Sequence, residues 1–426
     1  MLQLGPLILA VLGGGCLVLL LSARVRTALS FHLTADTYSQ QRDAAIDGIR
    51  GVVACSVMVA HYSQMPTQAP IKAFADAGFT LFAVSMFAAM SGYVLYAGLY
   101  RIETSRGITA VDVKSFLWRR FFRIYPLYVV YFVITLAAIL ILSDHVGARL
   151  MVTLLSDLLM LNLLSFGWYI DSPIWSLYPE MVFSVLLPLW MLFVGRGWKS
   201  AVAAYVLLSV FSWAGTPAGP TDPSFNLMRY FFLGIVIFRA VAALRERPAL
   251  LARLMPALYG VFVLGCVVAP AFNPWLDMGH GTVPGWVESA YGLYRKIGVS
   301  FHQDLCIILL PAPIILCPWI RKAFSNPPMV FLGVISYGIY ILHLPLLGLF
   351  SGLAFSPVRD AGIGRSYGRG IIDIDFLAPA AGFGEWSHAV YLLAVLGTAT
   401  ICHFIIERPM IRYGYALARR LDAARG

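Results

Sequence analysis

Apolar runs of roughly 15–25 residues recur along this chain, and that is the length an α-helix needs to cross a bilayer. In hydrocarbon every backbone N–H and C=O must find a partner inside the protein, so a spanning segment is a helix or part of a closed barrel. A barrel would show short segments of alternating polarity, and the chain has none. The composition agrees: 60% of the 426 residues are hydrophobic and 12% charged, against roughly half apolar and a quarter charged in soluble domains. The reading is an all-α fold, a polytopic transmembrane helical bundle.

The net charge of +10 would suit nucleic acid if it formed one patch. Instead the basic residues fall at alternate ends of the apolar runs. Arg24, Arg26 and Arg42 precede the second run, and Arg101, Arg106, Lys114, Arg119, Arg120 and Arg123 lie between the third and fourth. Further clusters follow Ile174–Val194, Phe225–Phe238 and Leu305–Trp319, and Arg408 to Arg425 closes the chain. By the positive-inside rule these ends are cytoplasmic, so the charge serves membrane lipids and no nucleic acid partner is expected.

Met151–Phe166 breaks the alternation, because no basic cluster follows it before Ile174. Residues 151–166 are therefore read as a re-entrant or interfacial segment, and Asp157 and Asn162 fit a segment packed on protein. The count becomes about eleven spans, one N-terminal helix plus ten, with the N-terminus outside and the C-terminus cytoplasmic. Residues 1–45 are an N-terminal transmembrane helix and linker, 46–412 the membrane domain, and 413–426 a basic cytoplasmic tail. Gly5 to Leu21 has no basic residue before it and reads as an uncleaved helix rather than a signal peptide. The six cysteines include no C-x-x-C pair, and no metal-ligand spacing, Walker motif or G-x-S-x-G occurs.

Polar residues inside such runs are costly and mark function or packing. "IDGIRGVVACSVMVAHYS" (Ile46 to Ser63) carries Asp47, Arg50 and His61. Arg50 and His61 are eleven residues apart, within about 20° of one helix face and about 16 Å apart along the axis. Small residues between them, Gly51, Ala54 and Ser56, permit close helix approach. Arg50 alone reads as a snorkelling anchor. His61 is equally a structural or a functional imidazole.

"SPIWSLYPEMVFSVLLPLW" (Ser172 to Trp190) places Ser176 and Glu180 four apart on one face, at the expected depth of His61. A carboxylate there is expected to orient the imidazole, with pairing to an arginine as the alternative. "RRFFRIYPLY" (Arg119 to Tyr128) reads from composition as a basic anchor with an aromatic belt. The sharper reading is a phosphate site, since guanidinium forks suit phosphate oxygens. In "ISYGIYILHLPLL" (Ile335 to Leu347), Ser336, Tyr340 and His343 share a face and are expected to pack helices. His403 and Glu407, four apart, are also read as structural.

Together these segments resemble the acyltransferase 3 family, integral-membrane enzymes that O-acylate bacterial surface and exported polysaccharides. "IDGIRG…H", "RRFFRIYPLY", "IWSLYPEMVFSVLLP", "LGVISYGIYILHLPLL" and "IERP" stand in the family's order over residues 46 to about 412. Pro179 and Met181 depart from the usual pattern, which has a small or apolar residue and often a second acid there.

The resemblance implies a ten-span acyltransferase core in the bacterial inner membrane. It implies acyl-CoA, most often acetyl-CoA, as cytoplasmic donor, with no bound cofactor or metal, and a saccharide hydroxyl on a polysaccharide or lipid-linked glycan as acceptor. On this basis Arg50, Arg120 and Arg123 are expected to hold the CoA phosphates. The pantetheine arm would follow the stripe to His61, the general base or transient acyl carrier. Glu180 would orient His61, and Ser176 or Trp175 would donate to the thioester oxygen. The rival from another class is a glycan transporter or flippase, which would more typically show paired broken helices from inverted repeats.

Overall fold

The computed structural model describes residues 43–63, 79–142, 154–160, 168–169, 174–193, 197–214, 223–271, 303–351, 353–357, 369–370, 372–376 and 387–423. The helices are α1 (Ala44–Ser63), α2 (Phe79–Arg106), α3 (Ala110–Leu142), α4 (Ile174–Phe193), α5 (Trp198–Ala214), α6 (Pro223–Arg245) and α7 (Pro248–Ala271). There follow α8 (Gln303–Leu316, regular from Pro311), α9 (Pro318–Phe324), α10 (Pro327–Val334), α11 (Ser336–Ser351), α12 (Ser387–Cys402) and α13 (Arg408–Ala423). Two short strand pairings accompany them. β1 (Trp168–Tyr169) runs parallel to β3 (Arg369–Gly370), and β2 (Leu353–Pro357) pairs antiparallel with β4 (Ile372–Phe376), Phe355 opposite Ile374.

The fold is therefore all-α in its body. Six helices among the described residues are long and apolar enough to cross a membrane, or eight if each bent pair is one span. The expected N-terminal helix lies outside the described residues, as does the whole loop between α7 and α8. Many large apolar side chains face outward, among them Phe193 at 82% and Ile405 at 70% exposure. Apolar surface on that scale is stable against lipid tails rather than water.

Local chemistry sets the helix ends. Asp43 caps α1 by accepting the Ala45 N–H at 3.1 Å. Between α2 and α3, Gly107 takes the left-handed turn (φ +80°). Asp112 closes a capping arrangement there, accepting from the Thr109 N–H at 3.0 Å and from Arg106. At Cys317 the chain bends by 96° between α8 and α9, with Pro318 opening the new helix. A second bend of 63° separates α10 from α11. Asn326 caps α10 through the Met329 N–H at 3.1 Å.

Glycines let the central helices meet backbone to backbone. A Cβ on Gly333 would lie 1.9 Å from the Asp47 carbonyl, and one on Gly51 would lie 2.7 Å from Gly333 N, so α1 and α10 touch there. Gly92 and Gly234 do the same for α2 and α6, where added Cβ atoms would fall 2.1 Å from the Phe231 oxygen and 2.0 Å from the Ala89 oxygen. The close approach expected from the small residues of α1 is present and is directed at α10.

The described part of 151–166 is short. A helical turn over 154–158 ends at Met160, whose φ of 53° cannot continue a helix. Tyr125 and Tyr128 of α3 donate to the carbonyls of Leu158 and Asp157, and Tyr178 of α4 donates to the Asp157 carboxylate. The segment is thus held on protein by two backbone oxygens and the Asp157 carboxylate. Residues 413–423, expected as a tail, continue α13 and dock on α3. Phe122 and Tyr413 meet edge to face at 5.0 Å, and Ser115 donates to Asp422 at 3.1 Å.

Candidate functional site

An interior cavity opens between α1, α2, α3, α4, α6 and α11. Arg50 of α1, Ser91 of α2, Arg123 of α3 and Glu180 of α4 supply its polar wall. Ser176 and Tyr340, with Phe87, line it as well, so one space brings together four of the residues expected to bind or react, Arg50, Arg123, Ser176 and Glu180, with Ser336 and Tyr340, which were expected only to pack helices. Trp175 is not part of the wall; it packs between two hydrophobic cores.

Two expected pairings are corrected. The sequence puts Glu180 beside His61; the structure gives its carboxylate to Arg120, with a further bond from the Ser91 hydroxyl at 3.3 Å. A desolvated carboxylate gains more from a permanent cation than from a neutral imidazole, and α3 offers one within reach. The sequence also joins Arg120 to Arg123 as a phosphate fork. Three residues apart on a helix, they point about 60° apart. Arg123 lines the cavity, whereas Arg120 is spent on Glu180 and, through Nε, on the Ser184 hydroxyl at 3.1 Å. Arg50, Arg120 and Arg123 all act electrostatically on Glu180, so the carboxylate is the hub of a cationic wall.

His61 meets a partner the sequence reading left in the packing: His343 of α11. Nε2 of His343 lies 3.2 Å from Nδ1 of His61, with ring centroids 4.9 Å apart. Two carbonyls fix the protons. His61 Nδ1 is 3.0 Å from the Val57 oxygen, and His343 Nδ1 is 2.6 Å from the Tyr340 oxygen. A carbonyl only accepts, so each Nδ1 carries the hydrogen. In the neutral pair His343 Nε2 is then a lone pair, the single His61 Nδ1–H is shared between it and the Val57 oxygen, and His61 Nε2 is a lone pair with no partner among the described residues. That is the atom a general base needs. His343 is buried, and Tyr391 holds its backbone oxygen at 3.1 Å.

Between the cavity and this pair stand two hydroxyls. Ser176 Oγ and Tyr340 Oη are 2.5 Å apart, tying α4 to α11. Phe87 and Tyr340 meet edge to face at 5.9 Å, and the Tyr340 and His343 rings are 5.8 Å apart. From Arg50 the order is cationic wall, hydroxyl pair, imidazole pair.

A second polar cluster went unrecognised in the sequence. Arg229 of α6, fully buried, bonds the Tyr230 hydroxyl at 2.5 Å and pairs with Asp304 of α8 at 3.1 Å; Tyr230 also donates to Gln303. The signal was an arginine within one apolar run and an aspartate at the start of another. His403 and Glu407 pair at 3.3 Å in a π-helical turn (His403–Glu407), as their spacing implied.

Residues 43–408 match the family model of the acyltransferase domain Acyl_transf_3. The acyltransferase MdmB of Streptomyces mycarofaciens is 26% identical over 421 aligned residues, covering 89% of this chain and 94% of that protein. A protein named for its place in the picA locus of Rhizobium radiobacter is 30% identical over 169 residues, covering 35% of this chain and 83% of that one. No solved structure matches significantly. With the match spanning most of the chain, this multi-pass membrane protein belongs to the acyltransferase 3 family.

Proposed function

We propose that the protein transfers an acyl group, acetyl in the first instance, from acyl-CoA to a hydroxyl of a saccharide on an exported polysaccharide or lipid-linked glycan. The observation that carries this reading is His61. Its tautomer is set by Val57, its Nε2 is open, and it stands on the same helix as Arg50, about 16 Å further along. That length suits a long thioester donor with phosphates at one end and the reacting carbon at the other.

In this reading Arg50 and Arg123 bind the phosphates, and Arg120 holds Glu180. The pantetheine arm runs through the cavity toward the Ser176–Tyr340 pair. One of those hydroxyls donates to the other, and the remaining O–H is available to the thioester oxygen as charge develops. His61 Nε2 takes the proton of the acceptor hydroxyl as its oxygen attacks the thioester carbon. The C–S bond breaks and the thiolate recovers that proton from His61, leaving CoA thiol and the ester. In this reading the Arg50 end faces the cytoplasm of a bacterial inner membrane, and its basic neighbours support that sidedness: Arg245 and Arg321 both reach Asp43 at the start of α1.

The test is transfer of label from radiolabelled acetyl-CoA in membranes holding the protein. Label in a glycan or glycolipid supports the reading; transport of an intact glycan with no label transferred supports the flippase instead.

A further inference from the structure

A general base that becomes charged in a low-dielectric site needs something to share that charge, and in serine hydrolases a carboxylate does so. Here the carboxylate expected for the role, Glu180, is engaged by Arg120 and Ser91. Among the described residues no carboxylate bonds either ring of the imidazole pair. We propose that His343 is the positioning residue of the site: its Nε2 lone pair orients His61 and accepts charge from His61 Nδ1–H when Nε2 of His61 takes the acceptor's proton. The proposal rests on the acyl-transfer reading above.

The geometry argues for this beyond simple contact. A neutral imidazole has one ring N–H and one acceptor nitrogen. His343 spends its Nδ1–H on its own helix, at the Tyr340 oxygen, which leaves the acceptor Nε2 turned to His61. Burial removes water as a competing donor for that nitrogen. The Tyr391 bond to the His343 carbonyl and the packing of α11 on α1 fix the position of the ring relative to His61. As His61 becomes imidazolium, its Nδ1–H bond to His343 becomes charge-assisted and shortens, a gain made only in the transition state. The Nδ1 proton can move toward His343 Nε2 and back, with no net gain or loss.

Two substitutions separate positioning from packing. In His343→Gln the amide reaches the old Nε2 position, so its oxygen still accepts from His61 but takes no proton. In His343→Asn the amide reaches the old Nδ1 position, keeping the Tyr340 contact and losing His61. With full-length protein in lipid nanodiscs and acetyl-CoA as donor, kcat is expected to fall about tenfold for Gln and about a hundredfold for Asn, within the range of a general base and its support. KM for acetyl-CoA and heat protection by CoA are expected to stay as in the wild type. Asparagine as active as glutamine, wild-type kcat in either variant, or failure of both to fold would each assign His343 to packing and overturn the proposal. His61→Ala, run alongside, tells the two levels apart: an inactive His61→Ala beside an active His343→Asn removes only the role of His343, while an active His61→Ala removes the acyl-transfer reading itself.

Discussion

Glu180 of α4 binds Arg120 of α3, and this ion pair forms one side of the cavity that Arg50 and Arg123 also line. The pair is mostly buried, with 12% of the arginine side chain and 22% of the glutamate side chain exposed. Its first role is to hold two helices at the site, and its consequence for activity follows from that.

Removing one partner of a buried pair leaves the other charge uncompensated, at a cost on the order of 3–5 kcal/mol. Arg120→Ala and Glu180→Ala are each expected to lower the melting midpoint clearly, and the double variant to lose less than the sum. A double-mutant cycle on purified protein measures this. Additive losses would show that the pair contributes no coupling.

Arg123→Ala, by contrast, is expected to raise KM for acetyl-CoA about tenfold with little change in melting. Arginine–phosphate bonds are charge-assisted and worth roughly 1.5–3 kcal/mol. Initial rates against acetyl-CoA concentration distinguish it from a positional anchor, for which KM would not move.

The membrane class was legible at once, because no other solution accommodates so many long apolar runs. Arg50 and His61 on one face of α1 were equally legible, since helix geometry fixes their phase and distance. Their partners were not. Glu180 could meet His61 or an arginine, and the choice depended on how α3, α4 and α11 stand around α1, which sequence periodicity does not encode. His343 was hidden for the same reason: a histidine on an apolar helix face looks identical whether it faces a carbonyl or another imidazole. Arg229 and Asp304 are 75 residues apart in the chain, and only the packing of α6 against α8 reveals them as a pair.

The hydroxyl pair offers a sharper dissection. Ser176→Ala and Tyr340→Phe are each expected to cost about 1 kcal/mol of stability for the lost hydrogen bond. If the available O–H meets the developing oxyanion, kcat falls by about 10²–10³ in at least one of them, with KM for acetyl-CoA nearly constant. Equal, small losses in both would confine the pair to helix packing.

Gly333→Ala tests the helix contact that holds α1. Its Cβ would meet the Asp47 carbonyl at 1.9 Å, and backbone cannot swing aside as a side chain can. A loss of about 1–3 kcal/mol is expected, as for overpacked cores. A melting midpoint equal to the wild type would mean that α1 and α10 are not in contact.

The central claim is that His61 is the base. Its most direct measurement is the transfer of label from radiolabelled acetyl-CoA to glycan in membranes containing equal amounts of wild-type and His61→Ala protein. A fall of about 10²–10⁴ with CoA binding retained is the expected result, the size of a general-base contribution. Transfer at the wild-type rate would contradict it.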